Sequence, residues 1–268
     1  MDLKRTYNTT KELLTSTEVP TQTRTYKPIS HSQLIDLTLN GIEKAGFKLD
    51  KETYSACDAG QIANGRFSIG NVADQEMQLQ IGWQNSYNKK LTLKFAIGTR
   101  IFICQNGSVS GDMGAFKKKH MGGIQEFTPN AISEYIKEAG DAFTRMQGER
   151  EAMKQIEITK RTRAELIGRM YIEEGLINSH QLSVVKKELQ APTHDYNAPD
   201  SLWELYNYTT YAMKDTSPIF WMNSHIDAHK FFVNESGILV SPQQELEISF
   251  NPSRFSQLEM SFDQENIM

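Results

Sequence analysis

The chain has 268 residues, a net charge of −4, 23% charged and 10% aromatic residues, and two cysteines, Cys57 and Cys104. That length suits one large domain or two small ones with a real core; two cysteines exclude a disulfide framework, and no apolar run reaches the length of a bilayer span. With no apolar leader in "MDLKRTYNTTKELLTSTEVP", the sequence predicts a soluble protein of a reducing cytoplasm, with no membrane partner.

Residues 1–27 are polar and Thr-rich without a sustained period, and read as a flexible or irregular arm. Ser30 or Ser32 can cap a helix over "QLIDLTLNGIEKAGF", with Gly46 as its stop. Strands follow. "GRFSIGNV" is short, whereas "MQLQIGW" sends Met77, Leu79, Ile81 and Trp83 to one face, and "LTLKFAIGTRIFIC" sends Leu91, Leu93, Phe95, Ile97, Ile101 and Ile103 to one face and Thr92, Lys94, Ala96, Gly98 and Arg100 to the other. This period of two predicts an antiparallel sheet with one buried face. Asn106-Gly107 is a hairpin signal. Thr128 and Pro129 then read as the cap and first residue of one long helix to about Glu157, packed on the sheet. A self-associating seam on that helix keeps a homo-oligomer open.

Thr162 and Glu165 match a capping box, Gly175 ends that helix, and Ser179 opens the next; the pair reads as a structural helical hairpin rather than a DNA-reading one, because Tyr171, Asn178 and Gln181 fall where small or apolar residues are needed. A two-proline linker, "APTHDYNAPD", leads to an aromatic helix, "SLWELYNYTTYAMKD", capped by Asp200 or Ser201. The last stretch predicts a strand or hairpin near "ELEISF" and a polar tail. The expected architecture is α+β: an antiparallel sheet of three to five strands covered by a long helix, with a helical C-terminal part. Its divisions are an arm over 1–27, a core over 28–192, a helical part over 193–240 and a tail over 241–268.

Charge is uneven along this acidic chain. Lys89 to His120 carries seven Lys/Arg against Asp112 alone, a local +6 that leaves −10 for the remainder. Lys94 and Arg100 share one strand face, about 20 Å apart at about 3.3 Å per residue, with Ala96 and Gly98 leaving room between them. Lys89, Lys90, Lys94, Arg100, Lys117, Lys118, Lys119 and His120 are the candidate phosphate contacts, and Tyr87 the candidate stacking platform.

The turn Gln84-Asn85-Ser86-Tyr87-Asn88-Lys89, the run Cys104-Gln105-Asn106, the stretch Lys117-Lys118-Lys119-His120, and Leu202, Trp203, Asn207, Thr209 or Thr210, and Tyr211 together resemble a phage- and plasmid-associated family, the domain of unknown function numbered 932. The likeness runs from about Pro28 to Phe232. It implies an origin on a mobile element in a bacterial host, and it supplies no reaction. The family pattern has His-Asp where this chain has Tyr87-Asn88. Tyrosine is no acid–base near neutral pH, so no catalysis is expected at the turn.

Other chemistry is thin. His225 and His229 share a helix face but lack a third metal ligand at a matching spacing. "GDMGAF" is no phosphate loop. Cys104 reads as a small buried residue. No catalytic residue, metal or cofactor is assigned. The expected function is non-enzymatic binding of nucleic acid, single-stranded DNA, in mobile-element DNA metabolism. The alternative is an inhibitor that docks on a host anti-phage defence protein through the acidic remainder or the helix around Trp203 and Trp221.

Overall fold

Every strand pairing is antiparallel in the computed structural model, which describes residues 7–102, 107–109, 115–214 and 216–237. The strands are β1 (Asn8–Thr9), β2 (Leu49–Cys57), β3 (Ile62–Ala73), β4 (Met77–Ser86), β5 (Leu93–Ile101), β6 (Gly107–Val109) and β7 (Ala115–Lys118). β1 to β5 lie in chain order, and β6 and β7 share the outer edge of β5, so seven strands make a sheet six positions across. That corrects the expected three to five. The additional strands are edge pieces of two to four residues, too short to show alternation. The N-terminal arm is likewise not irregular throughout: β1 pairs with β2, and α1 (Lys11–Ser16) buries Leu14.

The remaining helices are α2 (His31–Lys44), α3 (Ile124–Lys137), α4 (Ala139–Gln155), α5 (Lys160–Gly168), α6 (Ser179–Gln190), α7 (Leu202–Ala212) and α8 (Trp221–Glu235). Among the described residues no helix is long and apolar enough to cross a membrane. The single long helix is corrected to two, α3 and α4, parted at Glu138 next to the helix-weakening Gly140. α3 also begins earlier than expected. Gly123 occupies its N-cap at φ 77°, and Thr128 lies inside, its hydroxyl donating to Ile124 O. The cap of α5 is Thr159, three residues before the expected Thr162, whose N–H it accepts, and a π-helical turn over Arg169–Glu173 extends the helix. Asn178 and Gln181, the two residues that spoiled a DNA-reading hairpin, form a reciprocal capping box for α6.

The odd face of the sheet is the apolar core. Trp83 pairs with Gly65 and Phe95, Ile81 with Phe67 and Ile97, and all but Gly65 of the named side chains are almost wholly buried. α2 and α3 close over this face. Gly41 of α2 abuts Ile136, while Phe116 of β7 stacks on Phe95 and meets Phe127 and Tyr135 of α3. α4 is clamped to the β3–β4 turn. Arg150 reaches Asp74 at 2.7 Å and Lys154 reaches Glu76 at 2.6 Å. Burial pushes the Asp74 carboxyl up, but bonds from Gln147, two backbone N–H groups and Arg150 outweigh it and hold it at about 2.

The other face is the main departure from the sequence reading. It was expected to be open between Lys94 and Arg100, yet α8 lies there, with Ala96 packed on Trp221 and Met222. The two cations are only partly exposed. Ile103, Cys104, Asn106 and the predicted strand or hairpin near "ELEISF" lie outside the described residues. All described residues except Gly237 belong to one unit, Met1–Ser236.

Two glycines separate a rigid from a yielding contact. A Cβ at Gly65 would sit 2.5 Å from the Trp83 ring, whereas one at Gly41 would meet the end of Ile136 at 2.6 Å. Gly65→Ala is expected to cost about 1–3 kcal/mol, since the buried indole has nowhere to go, and Gly41→Ala less than about 1, since the Ile136 methyl can rotate away and alanine favours helix. Urea midpoints in the reverse order would refute this packing.

Candidate functional site

The family-like turn is built around a histidine that the sequence reading passed over. His31 is the first residue of α2, with no exposed surface. Its ring is sandwiched between Tyr87, at 4.0 Å and 15°, and Trp83, at 5.9 Å and 11°. Nε2 lies 2.9 Å from Gly60 O and Nδ1 lies 3.1 Å from Asn85 Nδ2. A carbonyl only accepts, so Nε2 carries the proton and Nδ1 accepts from the amide, which fixes a neutral imidazole. Burial is the main cause that lowers its pKa to about 4; the Gly60 bond opposes this and His120 adds to it.

The neighbours belong to the same knot. Asn85 Nδ2 also donates to Ile29 O at 2.9 Å, and the Tyr87 hydroxyl accepts the His31 backbone N–H at 2.7 Å. Tyr26 donates to Tyr87 O at 3.0 Å. Burial pushes the Tyr87 phenol up to about 12. Ser86 Oγ spans the hairpin, donating to Leu91 O and accepting from Leu91 N–H. Asn88 and Lys90 both grip Asp58 Oδ2, at 3.1 and 3.0 Å, which holds a β2–β3 turn where Asp58, Ala59 and Gly60 all have positive φ. The turn motif is therefore a clasp joining α2, the β2–β3 turn and the β4–β5 hairpin.

This places the predicted binding residues in three groups. Tyr87, 2% exposed, is part of the core and offers no face to a base, which corrects its role as stacking platform. His120 is also buried, edge-on to Tyr26, with neither ring nitrogen hydrogen-bonded, and burial lowers its pKa. Lys94 and Arg100 are engaged beneath and beside α8: Lys94 donates to Asn223 Oδ1 at 2.7 Å, and Arg100 lies 3.9 Å from Asp50. The third group comes together in space. Lys89 stands over the Tyr26 ring at 4.7 Å, the same ring that meets His120, so the hairpin and the segment after β7 converge. Lys117 and Lys118 lie beside Lys94 and Leu93 in register. Lys89, Lys90, Lys117 and Lys119 are exposed, and Lys118 lies over Phe127 on the opposite face from Lys117.

A family model described as Domain of unknown function (DUF932) matches residues 20–225. The chain belongs to that family. No curated protein and no solved structure matches it. In this DUF932 chain the second stretch that carried the resemblance is also interior: Leu202, Trp203, Asn207, Thr209 and Thr210 are all buried, with Asn207 donating back to Trp203 O. Trp203 and Trp221, expected as part of an aromatic docking surface, are both buried, whereas Phe220 beside Trp221 is 60% exposed. His225 and His229 do share α8, but both are buried; His229 stands between Glu149 at 3.1 Å and Tyr206 at 3.3 Å, tying α8 to α4 and α7. No cluster of three metal-ligating side chains occurs among the described residues.

Two measurements check the clasp. Unfolded histidine titrates near 6.5 and folded His31 near 4, so the unfolded chain takes up a proton that the folded chain refuses. Stability present above about pH 6.5 should fall by up to roughly 3 kcal/mol as pH drops to about 4, and His31→Gln should flatten that limb. Tyr87→Phe keeps the stack on His31 but leaves its N–H without an acceptor, which should cost about 1–3 kcal/mol in denaturant unfolding. An unchanged midpoint would dissolve the clasp.

Proposed function

We propose that this DUF932 chain is a non-enzymatic nucleic-acid-binding protein of a phage or plasmid, acting on single-stranded DNA in the cytoplasm of a bacterial host. One observation carries the reading. Two cationic stretches 28 residues apart, at Lys89-Lys90 and at Lys117-Lys118-Lys119, meet at one end of the sheet around Tyr26. An acidic chain that concentrates lysines from separate segments on one edge has a local field for a polyanion. The binding is through phosphates. With Tyr87 buried, the apolar surface available to a base at this end is Met121, which is 47% exposed. The clasp supports the non-enzymatic reading, because its histidine is neutral, enclosed and fully hydrogen-bonded. The alternative, an inhibitor of a host defence protein, keeps the acidic remainder of the surface as its docking face.

Lys89, Lys117 and Lys119 neutralising one phosphate each should give log K a slope near −2.1 against log salt for a single strand, or a loss of roughly twentyfold between about 50 and 200 mM. Lys117→Ala with Lys119→Ala should flatten the slope by about 1.4, whereas Tyr87→Phe should leave it unchanged. Absence of binding to single- and double-stranded oligonucleotides at low salt by the wild-type protein would overturn the lysine-edge reading and put the inhibitor first.

A further inference from the structure

β3, β4 and β5 contain three cations, Arg66, Lys94 and Arg100, and no acid. The register puts all three on one face: Arg66 opposite Gly82, Lys94 opposite Gln84, Arg100 opposite Gln78. This is the face that α8 covers, and the cover is chemically one-sided. The sheet supplies the donors and the segment 218–223 supplies the acceptors. Asn64 Nδ2 and Gln84 Nε2 both donate to Pro218 O, Gln84 also to Ile219 O, and Lys94 to Asn223 Oδ1.

The match is incomplete where charge is concerned. Arg66 meets only the face of Trp221, 5.1 Å away, its Nε has no hydrogen bond, and no carboxylate pairs with it among the described residues. Lys94 meets a neutral acceptor, Asn223 Oδ1, and makes no ion pair among the described residues. Burial and then Lys117 lower the Lys94 pKa, with Asp227 opposing them from α8. A guanidinium and an ammonium that are partly exposed, and elsewhere face neutral groups, bear a partial desolvation that a phosphate would offset. A row of donors around the small residues Gly82, Ala96 and Gly98, the first two of which Trp221 and Met222 now cover, has the form of a surface for an extended phosphodiester chain once those side chains move away.

We propose that this sheet face is a second binding surface for the backbone of single-stranded nucleic acid, and that the lead-in 216–220 with the first turn of α8 is a lid which fills the surface in the free protein by offering the oxygens the ligand would bring, while the rest of α8 stays anchored to α4 and α7 through His229. The proposal rests on the nucleic-acid reading above, but concerns a different face from the exposed lysines.

The test is fluorescence anisotropy of a labelled oligothymidylate with wild-type protein, Trp221→Ala, and Trp221→Ala with Arg66→Gln. Loosening the lid raises the open fraction, so Trp221→Ala should bind about tenfold tighter than wild type or better, and adding Arg66→Gln should remove the gain. If wild type binds and Trp221→Ala, shown folded by circular dichroism, binds no tighter, the lid is refuted and the lysine edge stands. If only Trp221→Ala binds, the lid stands and the lysine edge falls; if neither binds, both fall. Should Trp221→Ala fail to fold, hydrogen exchange on the wild type decides. The oligonucleotide should speed exchange of the first-turn amides of α8, such as Trp221 and Ser224, which donate to Ser217 O and Phe220 O, and unchanged or slowed exchange there refutes the proposal.

Discussion

The neutral ring of His31 is the fixed point of this structure. It is held by two hydrogen bonds and two stacked rings that come from two places in the chain: the β2–β3 turn through Gly60, and β4 with its hairpin through Trp83, Asn85 and Tyr87. Each partner satisfies a group that burial would otherwise leave costly, and the tautomer is dictated by the one partner that can only accept. The consequence extends to the surface. Once Tyr87 is locked on His31, Lys89 and Lys90 must project from the far side of the hairpin, toward Tyr26 and Asp58, where the segment after β7 also arrives. The cationic end of the sheet is thus positioned by a buried uncharged knot.

The family-like turn gains a meaning from this. A histidine-aspartate pair in a surface turn would suggest chemistry, and its replacement by Tyr87-Asn88 would suggest loss of it. In this chain the two positions do structural work instead, Tyr87 inward on His31 and Asn88 across to Asp58. The same holds for the Trp203 and Asn207 helix, whose distinctive residues face the interior. In the turn and in this helix, the residues that carry the resemblance are fold determinants, whereas Lys117 and Lys119 of the lysine stretch are exposed.

Local pattern was enough for much of the fold. The alternation of Met77 to Trp83 and of Leu93 to Arg100, the cap at Ser30 (one of the two serines offered) and the Gly46 stop are set by neighbours in sequence and appear in the structure, while Leu91 and Thr92 lie before the strand. Long-range partners were not legible. Nothing near Lys94 announces Asn223, 129 residues on, and nothing near Asn64 announces Pro218, 154 residues on. The period-two pattern showed that one face was polar, but polar was mistaken for open, because a donor-rich face covered by backbone carbonyls reads the same as one covered by water. His31 was passed over for a related reason. It opens a helix between Ser30 and Ser32, and its burial depends on Tyr87 and Trp83, more than fifty residues away.

The central claim is that positive charge at one end of the sheet, positioned by the His31 clasp, is the surface that meets nucleic acid. Lysine acetylation read by mass spectrometry, with and without a single-stranded oligonucleotide, tests it most directly. The account predicts protection of Lys89, Lys117 and Lys119 while the equally exposed Lys44, Lys160 and Lys186 label as before. Labelling of Lys89, Lys117 and Lys119 that the oligonucleotide leaves unchanged, or protection centred on the other three, would contradict it.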